Sequence, residues 1–384
     1  YTQGDEPAMQ RHYRVLAERR EILAQLDGRG LCAFVPDGAV LPRASGLSEM
    51  PLEGAVPFAA PAELAVTLNA CGREIRGMGI PKGITVITGG AFHGKSTLLQ
   101  ALVRAVYPHV PGDGREGIVV DDTALRVGVE DGRSVRGTDL SMFVRDLPGG
   151  ISTKDFSTLS ASGSTSEAAN LLEAMEAGAR TFLIDEDSSA VNFLIRDVRV
   201  RKLLGDEREP LIPLTDRIRS LASAGMNFIL VAGACGDYLD LADNIIVMAN
   251  YRAECARASV IANCEGDEDP IGSTSELAEV PQSRPFAAYM QPLQKHVRPA
   301  SAVERQVKVK LAGDSLLQIG FLVADTSRLV TLVDKQQRLG AGFMLLNMLQ
   351  NAASNTAEGS APAGDSVARP CSHHGRRIDA AVAA

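Results

Sequence analysis

The string Gly89-Gly90-Ala91-Phe92-His93-Gly94-Lys95-Ser96-Thr97, set directly after the β-branched run Ile84–Thr88, constrains this chain more than any other feature. It fits G-x-x-x-x-G-K-[ST]. That spacing demands a strand, a tight loop and then a helix, because glycines let the backbone curl until its N–H groups face one point. A lysine and a hydroxyl follow at the start of the helix, whose N-terminal dipole favours an anion. Residues 95–106 read as that helix, ended before Pro108. By composition alone the pattern arises in roughly one or two of every hundred chains of this length, and the strand–loop–helix context lowers those odds. The expected ligand is ATP or ADP with Mg²⁺. Gly89, Gly90, Ala91, Phe92, His93, Gly94 and Thr97 would cradle the phosphates, Lys95 would bring charge, and the Ser96 hydroxyl would reach the metal.

A second element supports this. Residues 180–187 form an apolar run that ends in Asp185-Glu186-Asp187. A continuous apolar run is the mark of a strand buried on both faces, and its carboxyl end lies beside the phosphate loop in a parallel sheet. Asp185 is then placed to hold the Mg²⁺ shell, and Glu186 to orient or deprotonate water as the catalytic base, with Lys95 as the catalytic cation. Upstream, Ser162-Gly163-Ser164 leads into a helical pattern of Ala168, Leu171, Leu172 and Met175 that stops at Gly178. Ser164 and Glu167 have capping-box spacing. On residue types alone, the stretch reads equally as an ordinary helix cap or as an anion site at the positive end of a helix.

Spacing and wording together point further. Ser162 precedes Asp185 by 23 positions, a gap filled by one helix and one strand. This resembles the ATP-binding-cassette ATPases, where a Ser-Gly-Gly-Gln signature precedes the second motif's Asp at the same interval. Ser189-Ala190-Val191-Asn192 stands where their D-loop would be. The strings GGAFHGKSTLL, PGDGRE, EDGRSV, ASGSTSEAAN, LIDEDSSAVNFLIRD and GDY are similar to an ABC-class ATPase family of bacteria and some eukaryotes. The resemblance implies an α/β P-loop NTPase with an ABC-type nucleotide-binding domain and small mixed α/β appendages. It implies a head-to-tail homodimer, in which Ser162, Gly163 and Ser164 of one copy cap the ATP held by the other. A kinetoplastid member is a mitochondrial RNA-editing accessory factor, which implies RNA and a multiprotein RNA-processing complex as partners. The location would be the mitochondrial matrix for that branch and the cytoplasm otherwise.

The chain also departs from ordinary cassettes. No switch His stands in 231–238, Phe92 replaces a loop Gly, and Asn192 replaces the D-loop Asp. Hydrolysis is expected to be slow or supported by another group, which keeps a nucleotide-gated scaffold open as an alternative, with a small-molecule P-loop kinase behind it. Phe58 and Tyr107 are candidate adenine-stacking residues. Asp121 or Asp122 would take the place of a Gln-loop.

Composition bounds the rest. The 384 residues carry 39 Lys+Arg against 47 Asp+Glu, a formal charge of −8, which disfavours a surface that coats nucleic acid as a whole. Local basic groups are Arg11/Arg14/Arg19/Arg20, Arg196/Arg199/Arg201/Lys202 and Arg369/Arg376/Arg377. With 4% aromatic residues and no Trp, little is available for a base-stacking platform. No apolar run is long enough to span a membrane, so no membrane insertion is expected. The six cysteines are scattered, and Cys371-Ser372-His373-His374 reads as a tail rather than a metal site. Strands are expected at 31–35, 84–88, 117–120, 182–184, 227–232 and 245–248, then at 306–311 and 316–324. Helices are expected at 8–26 and 339–349. The organisation read from this is an N-terminal region at 1–50, an ATPase domain at 51–260 and a C-terminal mixed region at 286–384. Linkers are expected at 264–285 and 351–366. The first residue is Tyr1 rather than Met, and family members carry a domain ahead of the matching stretch, so a preceding segment is expected.

Overall fold

Apolar runs and helices alternate through most of the chain, and the computed structural model shows how they assemble. It describes residues 6–256 apart from 47, 146, 148, 205–208 and 234, residues 281 and 293, and residues 307–354 apart from 330. These divide into two units, 1–282 and 283–384. The candidates at 264–285, 306, 355–366, Arg369/Arg376/Arg377 and 371–374 lie wholly or largely outside the described residues.

The first unit opens with α1 (Glu6–Leu26), which buries Ile22 and Leu26; a 3-10 turn over Asp27–Arg29 follows and is capped by Gly30, whose φ of 68° suits glycine. β1 (Leu31–Pro36), β2 (Ala65–Ala70) and β3 (Arg73–Pro81) follow, then β4 (Ile84–Thr88) and α2 (Lys95–Arg104). Next come β5 (Val119–Val120), β6 (Leu125–Val127), β7 (Val135–Thr138), β8 (Phe156–Thr158) and α3 (Gly163–Glu176). The chain continues through β9 (Thr181–Asp185), α4 (Val191–Leu194), α5 (Val198–Leu204), α6 (Ile218–Ser223) and β10 (Asn227–Val231). It then forms α7 (Asp237–Leu241), β11 (Asn244–Ala249) and β12 (Arg252–Cys255).

Two sheets carry this unit. The larger runs β12-β11-β4-β10-β9-β6, parallel except for the β12 edge. β4, β9 and β10 are buried almost end to end, as strands covered on both faces must be. β6 was not anticipated: its three residues are too few to show a period. The second sheet, β2-β3-β1-β5, is antiparallel. The expected strand at 117–120 thus shortens to two residues, and it pairs with β1 rather than joining the parallel sheet. Because β1 pairs with β3, the stretch before residue 50 shares a sheet with residues beyond it.

The C-terminal unit is a three-stranded meander of β13 (Val309–Ala312), β14 (Leu316–Ile319) and β15 (Leu322–Asp325), with α8 (Lys335–Ser354) following, longer at both ends than the helix expected at 339–349 and taking in 351–354 of the linker expected at 351–366. The run expected as one strand at 316–324 is two, folded back at Gly320, where φ is 59°. Leu317, Ile319 and Leu346 form its small core. Gly342 lets α8 lie close on the sheet, since a Cβ there would stand 2.7 Å from both Leu317 and Val309.

Candidate nucleotide site

Register places the site. Ile87 of β4 pairs with Val231 of β10, and Val231 pairs with Asp185 of β9. The carboxyl ends of three neighbouring strands therefore stand level, and at about 4.8 Å per strand Asp185 lies roughly 10 Å across the sheet from Ile87. The loop that leaves β4 and the carboxylates that end β9 open on the same edge, where ligands gather in open α/β sheets.

The phosphate loop is tightly determined. Gly89 (φ 132°) passes so close to β11 that a Cβ would meet Met248 O at 2.2 Å. Gly94 (φ 100°) is the N-cap of α2. Lys95 Nζ donates to Gly89 O at 2.7 Å and to Gly90 O at 2.9 Å, so its ammonium is folded onto the loop it serves. Ser96 is exposed at the second position of the helix. Phe92 is 93% exposed with φ 64°, an unfavourable conformation for a bulky side chain.

His93 braces the loop from behind. Its Nδ1 accepts the Asn250 N–H at 2.7 Å, and its carbonyl accepts the Tyr251 N–H at 3.1 Å. Asn250 and Tyr251 form the turn between β11 and β12, both with positive φ. The Tyr251 ring lies against Gly94, where a Cβ would stand 3.1 Å from it. This turn is the part of the site the sequence reading missed; its one local signal is an Ala-Asn-Tyr tripeptide between two short strand-like runs.

The acidic end of β9 meets the loop from the other side. Glu186 Oε2 accepts the Gly233 N–H at 2.5 Å, and Gly233 also neighbours the Lys95 side chain, since a Cβ there would lie 3.9 Å from Lys95 Cε. Lys95, Glu186 and the turn after β10 thus converge. Within that turn burial, followed by the Asp237 charge, pushes the Cys235 thiol up to about 11, so it stays protonated. Tyr238 donates to Leu194 O at 2.8 Å and is a packing residue.

Asp185 suits a hard cation. It is 6% exposed, its Oδ1 takes only a long 3.4 Å bond from the Asp187 N–H, and burial raises its carboxyl above the ordinary range. A divalent ion would offset that penalty. The Asp185 carbonyl is held by the hydroxyls of Ser189 at 2.9 Å and Ser188 at 3.2 Å.

Ser162-Gly163-Ser164 stands elsewhere in the chain. Ser162 is the N-cap of α3, exposed, with its hydroxyl 2.9 Å from that of Thr165. Among the described residues it makes no hydrogen bond to the phosphate loop. The capping box expected from Ser164 and Glu167 is absent. The helix starts earlier, at Gly163, which buries Glu167 inside the first turns. The EDGRSV string buttresses this start: Glu130 N donates to the Ser166 hydroxyl, and Arg133 and Gly132 bond the backbone of Ala161. Three other candidates fall outside the site. Phe58 is 2% exposed in the core, and Tyr107 lies beyond the far end of α2. Asp121 bonds Thr181, at the opposite end of β9 from Asp185.

The model of the ABC_ATPase P-loop domain matches residues 5–280. The chain belongs to the ABC ATPase family. Its P-loop domain is therefore of the nucleotide-binding, nucleotide-hydrolysing kind. Over 204 residues it is 32% identical to the uncharacterized protein MJ1628 of Methanocaldococcus jannaschii; the match covers 52% of this chain and 44% of that relative. The chain thus matches less than half the length of that relative. Among solved structures, cbiO1 of Clostridium perfringens, part of the ABC transporter complex cbiONQ, is 15% identical at a TM-score of 0.32. That match covers 52% of this chain and 89% of cbiO1. A bacterial Atm1-family ABC exporter with ATP bound is 14% identical at a TM-score of 0.33, over 62% of this chain and 43% of the exporter. Among the described residues, no helix of this chain is long and apolar enough to cross a membrane.

Proposed function

We propose that this chain binds ATP with Mg²⁺ and hydrolyses it between two copies of itself. The observation that carries this reading is the convergence of Lys95, Glu186 and the Gly233 amide on the edge where β4 and β9 end. Lys95 would turn from the loop carbonyls to the phosphates. Gly89 to Thr97 would wrap them with backbone N–H groups. Bound Mg²⁺, held by Ser96 and Asp185, would neutralise charge on the phosphate oxygens. Glu186 would orient and deprotonate the attacking water, its second oxygen steadied by Gly233 N–H. Ser162, Gly163 and Ser164 point to a second copy, because their place at the N-terminus of α3 suits a phosphate that their own chain's loop does not present.

No histidine stands in 231–238, so hydrolysis would rest on Glu186 alone and be slow. That supports a nucleotide-gated device, with RNA the partner implied by the family likeness and exposed Arg11, Arg20 and Arg199 the side chains available to it. Light scattering of the Glu186→Gln variant with Mg-ATP tests the core of this. A shift from one copy to two is expected, and a species that stays single at saturating ATP rules the sandwich out. Phosphate release with and without single-stranded RNA separates an RNA-linked ATPase from a scaffold.

A further inference from the structure

Glu167 is fully buried, its side chain reaches out of α3, and the phosphate-loop chemistry does not use it. Its Oε2 accepts the N–H of Ala190, 23 positions along the chain, at 2.7 Å. Ala190 belongs to the loop that leaves Asp185 and Glu186. The same loop is held from two more directions: Arg126 of β6 donates to the Ser188 hydroxyl at 2.9 Å, and Val129 N donates to Ser188 O at 3.0 Å. The start of α3 also lies beside this loop, since a Cβ added to Gly163 would stand 4.0 Å from Ala190 Cβ. Glu167 Oε1 has no hydrogen-bond partner among the described residues. The neighbouring Ser189 hydroxyl, which donates to Asp185 O, also lies beside Glu167. Burying a carboxyl is costly, and the bond to Ala190 is the strong bond that offsets part of that cost.

We propose that Glu167 is a positioning residue that locks the loop after Asp185-Glu186 to the helix that begins at Ser162, so that the two half-sites one chain contributes move as one body. This rests on the two-copy reading above: each chain gives Lys95 and Glu186 to one nucleotide and Ser162 to Ser164 to the other. Through Glu167, the state of one nucleotide would be felt at the second without any contact between the two nucleotides.

Three variants test it on the full chain. Glu167→Ala removes the acceptor. Glu167→Gln keeps an oxygen for Ala190 and gains an N–H for Ser189. Ala190→Pro removes the donor instead, at a backbone conformation (φ −76°, ψ 117°, after an extended Ser189) that proline accepts. Amide hydrogen exchange without nucleotide is the primary readout. In Glu167→Ala and Ala190→Pro, exchange is expected to rise tenfold or more both at the bonded amides of 193–195 and in the first bonded turn of α3, residues 166–169. Glu167→Gln should stay within about threefold of the parent, so loss by simple misfolding is excluded. With ATP, Glu167→Ala and Ala190→Pro should lower kcat by tenfold or more at unchanged ATP affinity. Unchanged exchange at 166–169 in both variants overturns the lock. If the parent neither pairs nor releases phosphate, the two-copy reading fails, while the exchange data still decide on the link.

Discussion

At the scale of single residues, the site is a set of charges held out of water's reach to differing degrees. Among the described residues Lys95 has no acidic partner and rests on two carbonyls, so nothing stronger than neutral oxygens competes there with a phosphate for it. Lys95→Ala is expected to weaken ATP binding about 100-fold or more by calorimetry; unchanged affinity would remove the phosphate loop from the account. Glu167 supplies a second expectation. Burial, only partly offset by the Ala190 N–H, Ser189 and Arg126, pushes its carboxyl up to about 7, from an ordinary acid range near 4.5. The folded state thus favours the neutral acid. That contribution is whole below about pH 4.5 and is lost as pH rises through 7. Glu167→Gln stays neutral, so its thermal stability should match the parent near pH 4 and exceed it at pH 8, by at most about 3 kcal/mol. Equal melting at both values would show that ionised Glu167 is tolerated. The role of this residue was not legible beforehand. Ser164-x-x-Glu167 has the spacing of a cap, and only the helix start at Gly163 turns the glutamate inward.

At the scale of elements, the phosphate loop and the β11–β12 turn form one structure. Four residues outside glycine have positive φ among those described, and Phe92, Asn250 and Tyr251 are three of them. Such strain persists only where neighbours over-determine it. Gly89→Ala would set a methyl against Met248 O, at a φ that alanine resists. A loss of about 2 kcal/mol or more in denaturant unfolding is expected, together with weaker nucleotide binding. His93→Ala, which removes the bond to Asn250, should loosen ATP binding by about tenfold with little change in global melting. The strand, loop and helix were readable because their signals are contiguous and glycine-punctuated. The brace was not, since His93 and Asn250 stand 157 positions apart and nothing local marks either as a partner. The two-residue β5 went to the wrong sheet for a related reason: short apolar runs carry no period and no indication of their neighbours.

At the scale of the whole molecule, the parallel sheet was foreseen from alternation, and the antiparallel sheet beside it mostly was not. β2 and β3 mix polar and buried positions in runs that do not stand out among the surrounding Pro and Gly. The charge of −8 sets the terms for any RNA partner. Of the expected basic groups, Arg19 is spent on the carbonyls of Ala105 and Val106, and Arg201 pairs with Asp216. Among the described residues of those groups, exposed Arg11, Arg20 and Arg199 are left for phosphates. Binding of a labelled single-stranded RNA should therefore be weak and fall steeply between about 50 and about 200 mM salt, by a slope near 0.7 per phosphate contact. Affinity that ignores salt would exclude the phosphate-contact mode.

The bond between His93 and the turn at Asn250 also bears on how this chain can be recombined with others. A nine-residue loop looks like a cassette that could be moved between proteins, yet here it carries a counterpart more than 150 positions downstream. A chimaera with its crossover between 97 and 248 would join a loop from one parent to a turn from another. Only exchanges that take 84–251 as a block keep the two shapes matched.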